Sequence, residues 1–264
     1  MKETTPPQED SSDIYMSYDE KKVLFSSMLT VYGRKPVLEA LALPDIVPFR
    51  LHLAESNRPS DIIKNMLHIA SQRKIEVKYH SRQALSRISK NSKQDQGVVL
   101  DIKAPSYLPT SKIETTCNAE YIALENVTNP QNVGMTIRSV GASPCQGIIL
   151  PKKGNANIDP LVIKASAGTA LKVPIYHCQE AITGLKELKD RGFRLIGLSL
   201  DGSTSINKLE AYPRTIFVLG NETKGLSIEM KKLCDELAHI PLNNDVESLN
   251  VSITASIVAF RSIF

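Results

Sequence analysis

From Asn118 onward, short apolar runs typical of β-strands alternate with segments that have helical periodicity. The predicted strands lie at residues 121–125, 147–150, 173–176, 194–200, 215–219 and 236–240. The predicted helices include residues 132–140, 160–167, 180–191 and 228–235. Strands that alternate with helices become parallel neighbours in a sheet covered on both faces, so this region predicts an α/β fold. Ligands of such sheets bind beyond the carboxyl ends of the strands.

A shorter alternation of the same kind precedes this region. It predicts a small α/β domain at residues 28–103, and the proline-containing residues 104–117 are the predicted linker. The larger predicted domain is then 118–264. Residues 1–27 are polar and lack periodicity, so we expect a flexible tail there.

The composition excludes few classes of protein. A formal net charge of +4 is compatible with a nucleic-acid partner without requiring one. No uncharged apolar run reaches the roughly 18 residues of a membrane span, and the polar start of the chain has no secretory signal. The cysteines form no Cys-x-x-Cys pair, so we expect neither a metal site nor disulfides. These features together predict a cytoplasmic protein.

Residues 240–264 combine a polar turn with a long apolar run. The turn includes Asn243, Asn244 and Asp245, and the run that follows has neither glycine nor proline. Ser248 or Asn250 can cap a helix at this point, since their side chains accept hydrogen bonds from free backbone amides. The run therefore predicts a helix that is buried on most of its surface, with a binding site at its start.

Two other loops at predicted strand ends carry unusual side chains. The loop after residue 125 leads into a helix with Asn132 and Arg138, which lie about 120° apart around a regular helix. The loop at 219–226 has glycines on both sides of Glu222, so backbone amides there can approach a ligand closely. No Gly-x-Gly-x-x-Gly or Gly-Lys-Ser/Thr motif occurs, so neither a dinucleotide-type nor a P-loop site has support.

Each loop taken alone has an ordinary structural explanation. Asn132 and Arg138 could be a helix cap and a surface ion-pair partner, and Gly220 and Gly225 could mark a simple turn. The polar turn before Leu249 could be only a helix start. The occurrence of all three, in order, at strand ends of one domain favours a functional site.

Three motifs carry a resemblance to a known family. They are Asn-Pro-x-Asn-x-Gly-x-x-x-Arg at 129–138, Leu-Gly-x-Glu-x-x-Gly-Leu at 219–226, and Ile-Pro-Leu with Ser-Leu-Asn-Val-Ser at 240–252. They resemble the three motifs of the SpoU (TrmH-type) RNA 2′-O-ribose methyltransferases, of the SPOUT superfamily. Residues 164–170 resemble the segment between these motifs, and residues 32–41 and 96–98 resemble the entry and exit of the family's small substrate-binding domain.

The resemblance implies a trefoil-knotted methyltransferase domain, an obligate homodimer and S-adenosylmethionine as cofactor, with no metal. The cofactor-binding residues that it implies are Leu219, Gly220, Asn221, Gly225, Ile240, Leu242 and Leu249. The catalytic residues that it implies are Asn132, Arg138, Glu222, Ser248 and Asn250. The pattern departs at Asn244, where family members usually have glycine; asparagine tolerates left-handed backbone, so the turn can survive.

The implied reaction is attack of a ribose 2′-hydroxyl on the sulfonium methyl group, and positioning contributes much of the rate of such a reaction. In the family the arginine at position 138 is proposed as the proton acceptor. A guanidinium does not readily give up its proton, so our hypothesis is that Arg138 holds a phosphate and stabilises the developing alkoxide. Glu222 and Asn250 would orient the loop, the ribose and the neighbouring subunit.

The sequence leaves the RNA open. Family members with this two-domain layout more often resemble enzymes that act on large-subunit ribosomal RNA, so the resemblance favours that RNA over transfer RNA. A catalytically silent RNA-binding or ribosome-assembly factor is the alternative from another class. Basic residues of the small domain form a candidate phosphate-binding surface, although a merely solvated face is also possible. They are Arg50, Lys64, Arg73, Lys74, Lys78, Arg82, Arg87, Lys90 and Lys93.

Overall fold

The computed structural model describes residues 28–44, 46–103, 107–115, 118–244 and 246–263. These residues form two sheets, which define a small unit and a large unit. The predicted tail at 1–27, part of the predicted linker, Cys117 and Asp245 lie outside the described residues.

The small unit is a mixed four-stranded sheet of order β1-β4-β2-β3, in which only β2 and β3 are parallel. Its strands are β1 (Met28–Tyr32), β2 (Pro48–Ala54), β3 (Glu76–His80) and β4 (Val98–Lys103). Its helices are α1 (Arg34–Ala42), α2 (Asp61–Gln72) and α3 (Arg82–Ser89). Apolar residues of α1 and α2 belong to the core on one sheet face, while α3 packs on the other face through Leu85.

The large unit is an eight-stranded sheet of order β10-β12-β9-β11-β6-β7-β8-β5, and all its strand pairs are parallel. Its strands are β5 (Leu108–Pro109), β6 (Ala119–Leu124), β7 (Gly147–Ile149), β8 (Ile175–His177), β9 (Arg194–Leu198), β10 (Thr204–Ser205), β11 (Arg214–Leu219) and β12 (Glu236–His239). Its helices are α4 (Pro130–Gly141), α5 (Pro160–Ala165), α6 (Ala181–Asp190), α7 (Ile228–Leu233) and α8 (Val251–Phe260). The predicted α/β fold with a parallel sheet is confirmed; the trefoil knot stays a prediction.

The central strands alternate between two apolar layers. Leu124 and Phe217 face the layer that contains the buried residues of α4, α5 and α8. Ala123 and Val218 face the opposite layer, which contains those of α6 and α7. Successive side chains of a strand point to opposite faces, so a strand without polar interruption is buried on both sides. Two-residue strands such as β5 and β10 are too short for such a pattern, which is why the sequence did not predict them.

The two units contact each other through β1 and α5. Val31 belongs to the same apolar cluster as Ile163 of α5. Lys164 Nζ donates a hydrogen bond to Gln94 Oε1 at 2.8 Å across this contact. Among the residues that the structure describes, no helix has the length and hydrophobicity to cross a lipid bilayer.

Helix α8 differs in one respect from the sequence expectation. It begins after Asn250, whose side chain accepts a hydrogen bond from Ser252 N at 2.9 Å, while Ser248 lies outside the helix. The prediction that most of its surface is buried is wrong for one face, because Ile253 and Ile257 are 49% and 37% exposed. Helix α8 packs on α4 and β11 through its other side, and hydrophobicity alone does not tell a covered face from an open one.

Candidate functional site

The ends of β9, β11 and β12 and the start of α8 surround a cleft of about 350 Å³. These three strands are adjacent and parallel, so their carboxyl ends meet at one edge of the sheet. The cleft is lined by all seven residues predicted to bind a cofactor, which are Leu219, Gly220, Asn221, Gly225, Ile240, Leu242 and Leu249. Glu222 and Ser248 of the predicted catalytic set also line it.

The loop after β11 is held in a tight turn. The Gly225 backbone amide donates to Asn221 O at 2.8 Å, and Asn221 Oδ1 accepts from the amides of Thr223 and Lys224 at 2.9 and 3.1 Å. A Cβ on Gly220 would overlap the backbone of Gly225, and Gly225 itself has a φ of +67°. Gly220 therefore has no room for a side chain, and Gly225 has a backbone conformation that glycine adopts most easily, so backbone groups form this part of the cleft wall.

The polar turn before α8 keeps its shape without a glycine. Asn244 has a φ of +56°, in the left-handed region that asparagine tolerates better than most residues. The sequence expectation for this departure is therefore confirmed. Downstream of the turn, Ser248 and Leu249 reach the cleft.

A hydrogen-bonded network joins three of the predicted catalytic residues. Asn132 Nδ2 donates to Glu222 Oε1, and Asn250 Nδ2 donates to Asn132 Oδ1 at 3.1 Å. The remaining oxygen of the Asn250 amide accepts from the backbone amide and hydroxyl of Ser252, at 2.9 and 2.6 Å. Each amide orientation is thus set by its neighbours, and Glu222 is held from the side of α4 and α8.

Helix α4 places Asn132 in this network. Asn129 caps the helix by accepting from Gln131 N at 2.9 Å, and Pro130 occupies the first turn, where its missing N–H has no cost. Gly134 lets α5 approach closely, since a Cβ there would lie 2.5 Å from Ala165 Cβ and 2.6 Å from Val162 O. Asn132 is consequently only 9% exposed, and its hydrogen bond to Glu222 joins it to a residue that lines the cleft.

Arg138 does not join the network. It lies six residues further along α4, about 9 Å at 1.5 Å per residue, and its side chain is exposed. Among the described residues it forms no ion pair. The same stretch of α4 contacts α8 where Ser139 Oγ and Ser256 Oγ lie 2.7 Å apart. The structure therefore brings together Asn132, Glu222 and Asn250, and leaves Arg138 on an open surface beside α8.

A fourth loop lines the cleft that the sequence did not single out. Strand β9 was predicted to extend to residue 200 but ends at Leu198, so Ser199 and Asp201 belong to a loop at the same sheet edge. The hydrogen bond and charge of Lys231, at 2.8 Å, hold the pKa of Asp201 below its usual value. His239 also lines the cleft and lies 2.8 Å from Gly202 O, through Nδ1. Had the sequence prediction ended this strand at residue 198, the loop would have counted as a fourth candidate for the binding site.

Among the described residues, no group of histidine, cysteine or acidic side chains is arranged to hold a metal ion. Three cysteines are described, and burial raises the pKa of the Cys178 thiol to about 11 and that of Cys234 to about 12. Burial also raises the pKa of Cys145. Thiols in such surroundings stay protonated, and these three pack against the apolar clusters.

Residues 119–260 match the SpoU rRNA Methylase family, and residues 30–108 match a family described as RNA 2′-O ribose methyltransferase substrate binding. The chain is 31% identical over 233 residues to an uncharacterised tRNA/rRNA methyltransferase of Mycolicibacterium smegmatis. That alignment covers 86% of this chain and 74% of the relative.

Solved structures share the fold across both units. The AdoMet-bound rRNA methyltransferase from Sinorhizobium meliloti superposes with a TM-score of 0.76 at 23% identity, over 92% of this chain and 91% of that one. The SpoU methyltransferase AviRb from Streptomyces viridochromogenes, in complex with AdoMet, gives 0.76 at 20% identity, over 92% of each chain. At these identities the likeness concerns the fold.

Proposed function

The chain belongs to the SpoU rRNA methylase family, as an S-adenosylmethionine-dependent RNA methyltransferase, and we propose that it methylates a ribose 2′-hydroxyl of large-subunit ribosomal RNA. The observation that carries the proposal is the convergence of the three motif loops on one cleft, next to the network of Asn132, Glu222 and Asn250. A polar network beside a half-apolar cleft suits a reaction between a small cofactor and a hydroxyl group.

The residues of the cleft fit S-adenosylmethionine. Ile240, Leu242 and Leu249 provide apolar contact for a flat base, and the glycine turn presents backbone groups to its polar edge. A volume of about 350 Å³ lies within the range of small-molecule sites. When bound, the cofactor supplies an electrophilic methyl group on a sulfonium.

The polar residues of the site then orient the ribose. Glu222 Oε1 already accepts a hydrogen bond from Asn132, so Oε2 is the oxygen that accepts one from the ribose hydroxyl. This contact holds the 2′-oxygen in line for attack, which is a positional contribution to the rate. In the homodimer argued for below, Arg138 binds the adjoining phosphate and stabilises negative charge on the oxygen as the hydroxyl proton passes to water. It does not act as the base, because a guanidinium stays protonated.

Arg138 reaches a site only if another surface is brought to it, which favours the homodimer. The faces of α4 and α8 on either side of the Ser139–Ser256 contact expose Met135, Ile253 and Ile257. Exposed apolar side chains grouped on adjacent helices are typical of an interface. Pairing of two chains through this surface would bury them and bring Arg138 against the partner subunit. Sedimentation at micromolar concentration checks this, and a monomer with full activity would contradict it.

The proposed function is tested by methyl transfer from radiolabelled S-adenosylmethionine into separate pools of unmodified ribosomal and transfer RNA. We expect label in large-subunit RNA and its recovery in alkali-resistant dinucleotides, which report 2′-O-methylation. Label in transfer RNA alone would overturn the substrate class, and alkali-labile label would overturn the 2′-hydroxyl. If neither RNA pool acquired label and the protein also bound no S-adenosylmethionine, the silent RNA-binding factor would be favoured.

Arg138→Ala separates chemistry from cofactor binding. We expect it to abolish methyl transfer while the dissociation constant for S-adenosylmethionine, measured by calorimetry, stays within about threefold. Arg58→Ala, which removes an exposed arginine of the small unit, is the control. Retained turnover in Arg138→Ala would sink the role assigned to this residue.

A further inference from the structure

The basic residues of the small unit differ in what their charges already bind. Arg73 donates to the carbonyl oxygens of Leu41, Leu43 and Ile46 and so closes the chain after α1. Arg50 and Lys78 both pair with Glu76. Burial raises the pKa of Glu76, but the hydrogen bonds from Lys78 and Arg50 outweigh it and hold this pKa below its usual value. The donor groups of these three cations are therefore already engaged within the fold.

Residues 81–97, which we call the basic turn, have a different balance. They comprise α3 and the loop to β4, with four cations and one carboxylate, a formal net charge of +3. The carboxylate, Asp95, is fully buried. It accepts from Ser89 Oγ and Gly97 N at 2.9 Å each, and Arg82 lies 3.5 Å away. The exposed surface of the basic turn thus has positive charge and no exposed acid.

Three cations of the basic turn are uncommitted. Within the part of the chain that the structure describes, Arg87, Lys90 and Lys93 form no ion pair, and all three are exposed. Their backbone is nevertheless ordered by its own contacts. Asn91 Nδ2 donates to Tyr32 OH at 3.1 Å, and the amides of Gln94 and Asp95 donate to Asn91 O at 3.0 and 3.1 Å. A surface that is already fixed loses less conformational entropy when it binds.

The basic turn also lies against the large unit. Gln94 Oε1 accepts from Lys164 Nζ of α5 at 2.8 Å. Helix α5 packs on α4 at Gly134, two residues from Asn132 of the polar network. A polyanion bound to the basic turn is therefore next to the pair of helices that positions the site.

We propose that the basic turn is the docking surface for the phosphate backbone of the RNA substrate, with Arg87, Lys90 and Lys93 as its main contacts. This inference rests on the proposed function for the identity of the RNA. Lysine and arginine that neutralise phosphates release condensed counterions, so each contact steepens the fall in affinity with salt. Contacts of this kind position the RNA and do not read its sequence.

The chain offers a matched pair of variants. Lys90→Ala/Lys93→Ala removes two positive charges from the basic turn, and Lys64→Ala/Lys74→Ala removes two from α2 and the turn after it, which pack on the opposite face of the same sheet. Lys90 and Lys74 both have left-handed backbone, with φ of +53° and +54°, so each pair includes one such substitution. Thermal unfolding of both variants checks that the fold is retained.

The measurement is the affinity of each protein for an unmodified large-subunit ribosomal RNA transcript between about 50 and 200 mM salt. For Lys90→Ala/Lys93→Ala we expect the slope of log K against log salt to decrease by about 1.4–1.8 in magnitude, at about 0.7–0.9 per lost contact. The slope of Lys64→Ala/Lys74→Ala should stay that of the unaltered protein. The KM for RNA should rise for the first pair only, with kcat and cofactor affinity unchanged.

Equal slopes for the two variants would overturn the docking surface, and so would RNA binding by the unaltered protein that does not depend on salt. Because binding is measured without turnover, this result is separate from the fate of the proposed function. If the protein bound RNA through the basic turn but transferred no methyl group, the docking surface would be supported and the proposed enzymatic function would be overturned.

Discussion

In the small unit Asp101 accepts hydrogen bonds on the face of a sheet, and in the large unit Glu222 accepts one beside a cleft. Asp101 Oδ1 accepts from Thr30 Oγ1 at 2.8 Å, and Oδ2 lies 3.1 Å from His52 Nε2. His52 Nδ1 in turn lies 2.9 Å from His80 Nε2. Every strand of the small sheet contributes one member, and we call this chain the sheet network.

The two networks differ in what they leave unsatisfied. In the sheet network both oxygens of Asp101 are used, and both nitrogens of His52 are used as well. In the site network Glu222, which lines the cleft, uses one oxygen for Asn132, and its other oxygen accepts no hydrogen bond from the described residues. A closed network orders its own residues, whereas one with a remaining acceptor at a cavity can act on a ligand. Polar side chains of the same kind therefore indicate function only when a donor or acceptor remains that a ligand can reach.

The largest difference is expected from deleting the carboxylate of the site network. Glu222→Ala removes the acceptor that orients the ribose hydroxyl, and the loss of one such preorganised contact lowers kcat by about 10²–10³-fold. Glu222→Gln keeps an acceptor and should lose less. Single-turnover methyl transfer measures both, with Glu229→Ala, an exposed carboxylate on α7, as control. More than a third of the original rate in Glu222→Ala would remove this residue from the mechanism.

A second variant tests whether the site network depends on helix packing. In Gly134→Ala the new Cβ would meet Ala165 Cβ at 2.5 Å and Val162 O at 2.6 Å, and a backbone atom cannot move aside cheaply. Overpacking of this kind costs about 1–3 kcal/mol of stability. Because α4 must shift and Asn132 shifts with it, kcat should fall as well. Urea unfolding and turnover together check this, against Gln131→Ala on the exposed side of the same helix. Unchanged turnover with lowered stability would show that the position of Asn132 does not depend on the packing of α4 against α5.

The sheet network should respond in stability alone. Asp101→Ala leaves the hydroxyl of Thr30 and the buried ring of His52 without their acceptor, which costs about 1–3 kcal/mol in the free energy of unfolding. Asp101→Asn should cost less, because both histidines can change tautomer and let His52 accept from the new amide. Urea unfolding ranks the two variants. If kcat at saturating RNA also fell, the sheet network would have a part in the reaction that its closed contacts do not suggest.

The sequence predicted the content of both networks unevenly. Asn132, Glu222 and Asn250 are carried by motifs at strand ends, and parallel topology brings such ends together. The sheet network joins Thr30, His52 and Asp101 from three strands, and their contact depends on the strand order β1-β4-β2. No local pattern encodes that order, so sequence reasoning had no signal that these residues meet.

The same limit explains the elements that the sequence predicted imperfectly. The parallel sheet and its main helices follow from apolar periodicity, which is strong in long central strands. The loop of Ser199 and Asp201 was hidden by a strand predicted two residues too long, since Leu200 follows Leu198 at the two-residue spacing of a strand. The exposed face of α8 and the position of Arg138 depend on which surfaces meet, and periodicity does not decide that.

The smallest expected effect concerns pH, and it compares one histidine in each unit. Burial first, and then the charges of His52 and Lys78, lower the pKa of His80 below its ordinary value of 6.5. Burial also lowers the pKa of His177 in the large unit. In both cases the unfolded chain binds a proton more readily than the folded one. The histidines therefore stabilise the fold in full above about pH 6.5, and this contribution is lost as pH falls through the lowered pKa values.

Replacing each histidine in turn shows which unit carries the acid sensitivity. His80→Gln and His177→Gln should each reduce the slope of unfolding free energy against pH below about 6.5, measured by urea unfolding at several pH values. The ring of His177 lies edge-on to Tyr107, and the contact of its Nδ1 with Leu150 O opposes the effect of burial on its pKa. His68→Gln, on the exposed side of α2, is the control substitution. A steeper slope in either core variant would mean that protonation of that histidine stabilises the fold, which is the opposite sign to the one that its burial requires.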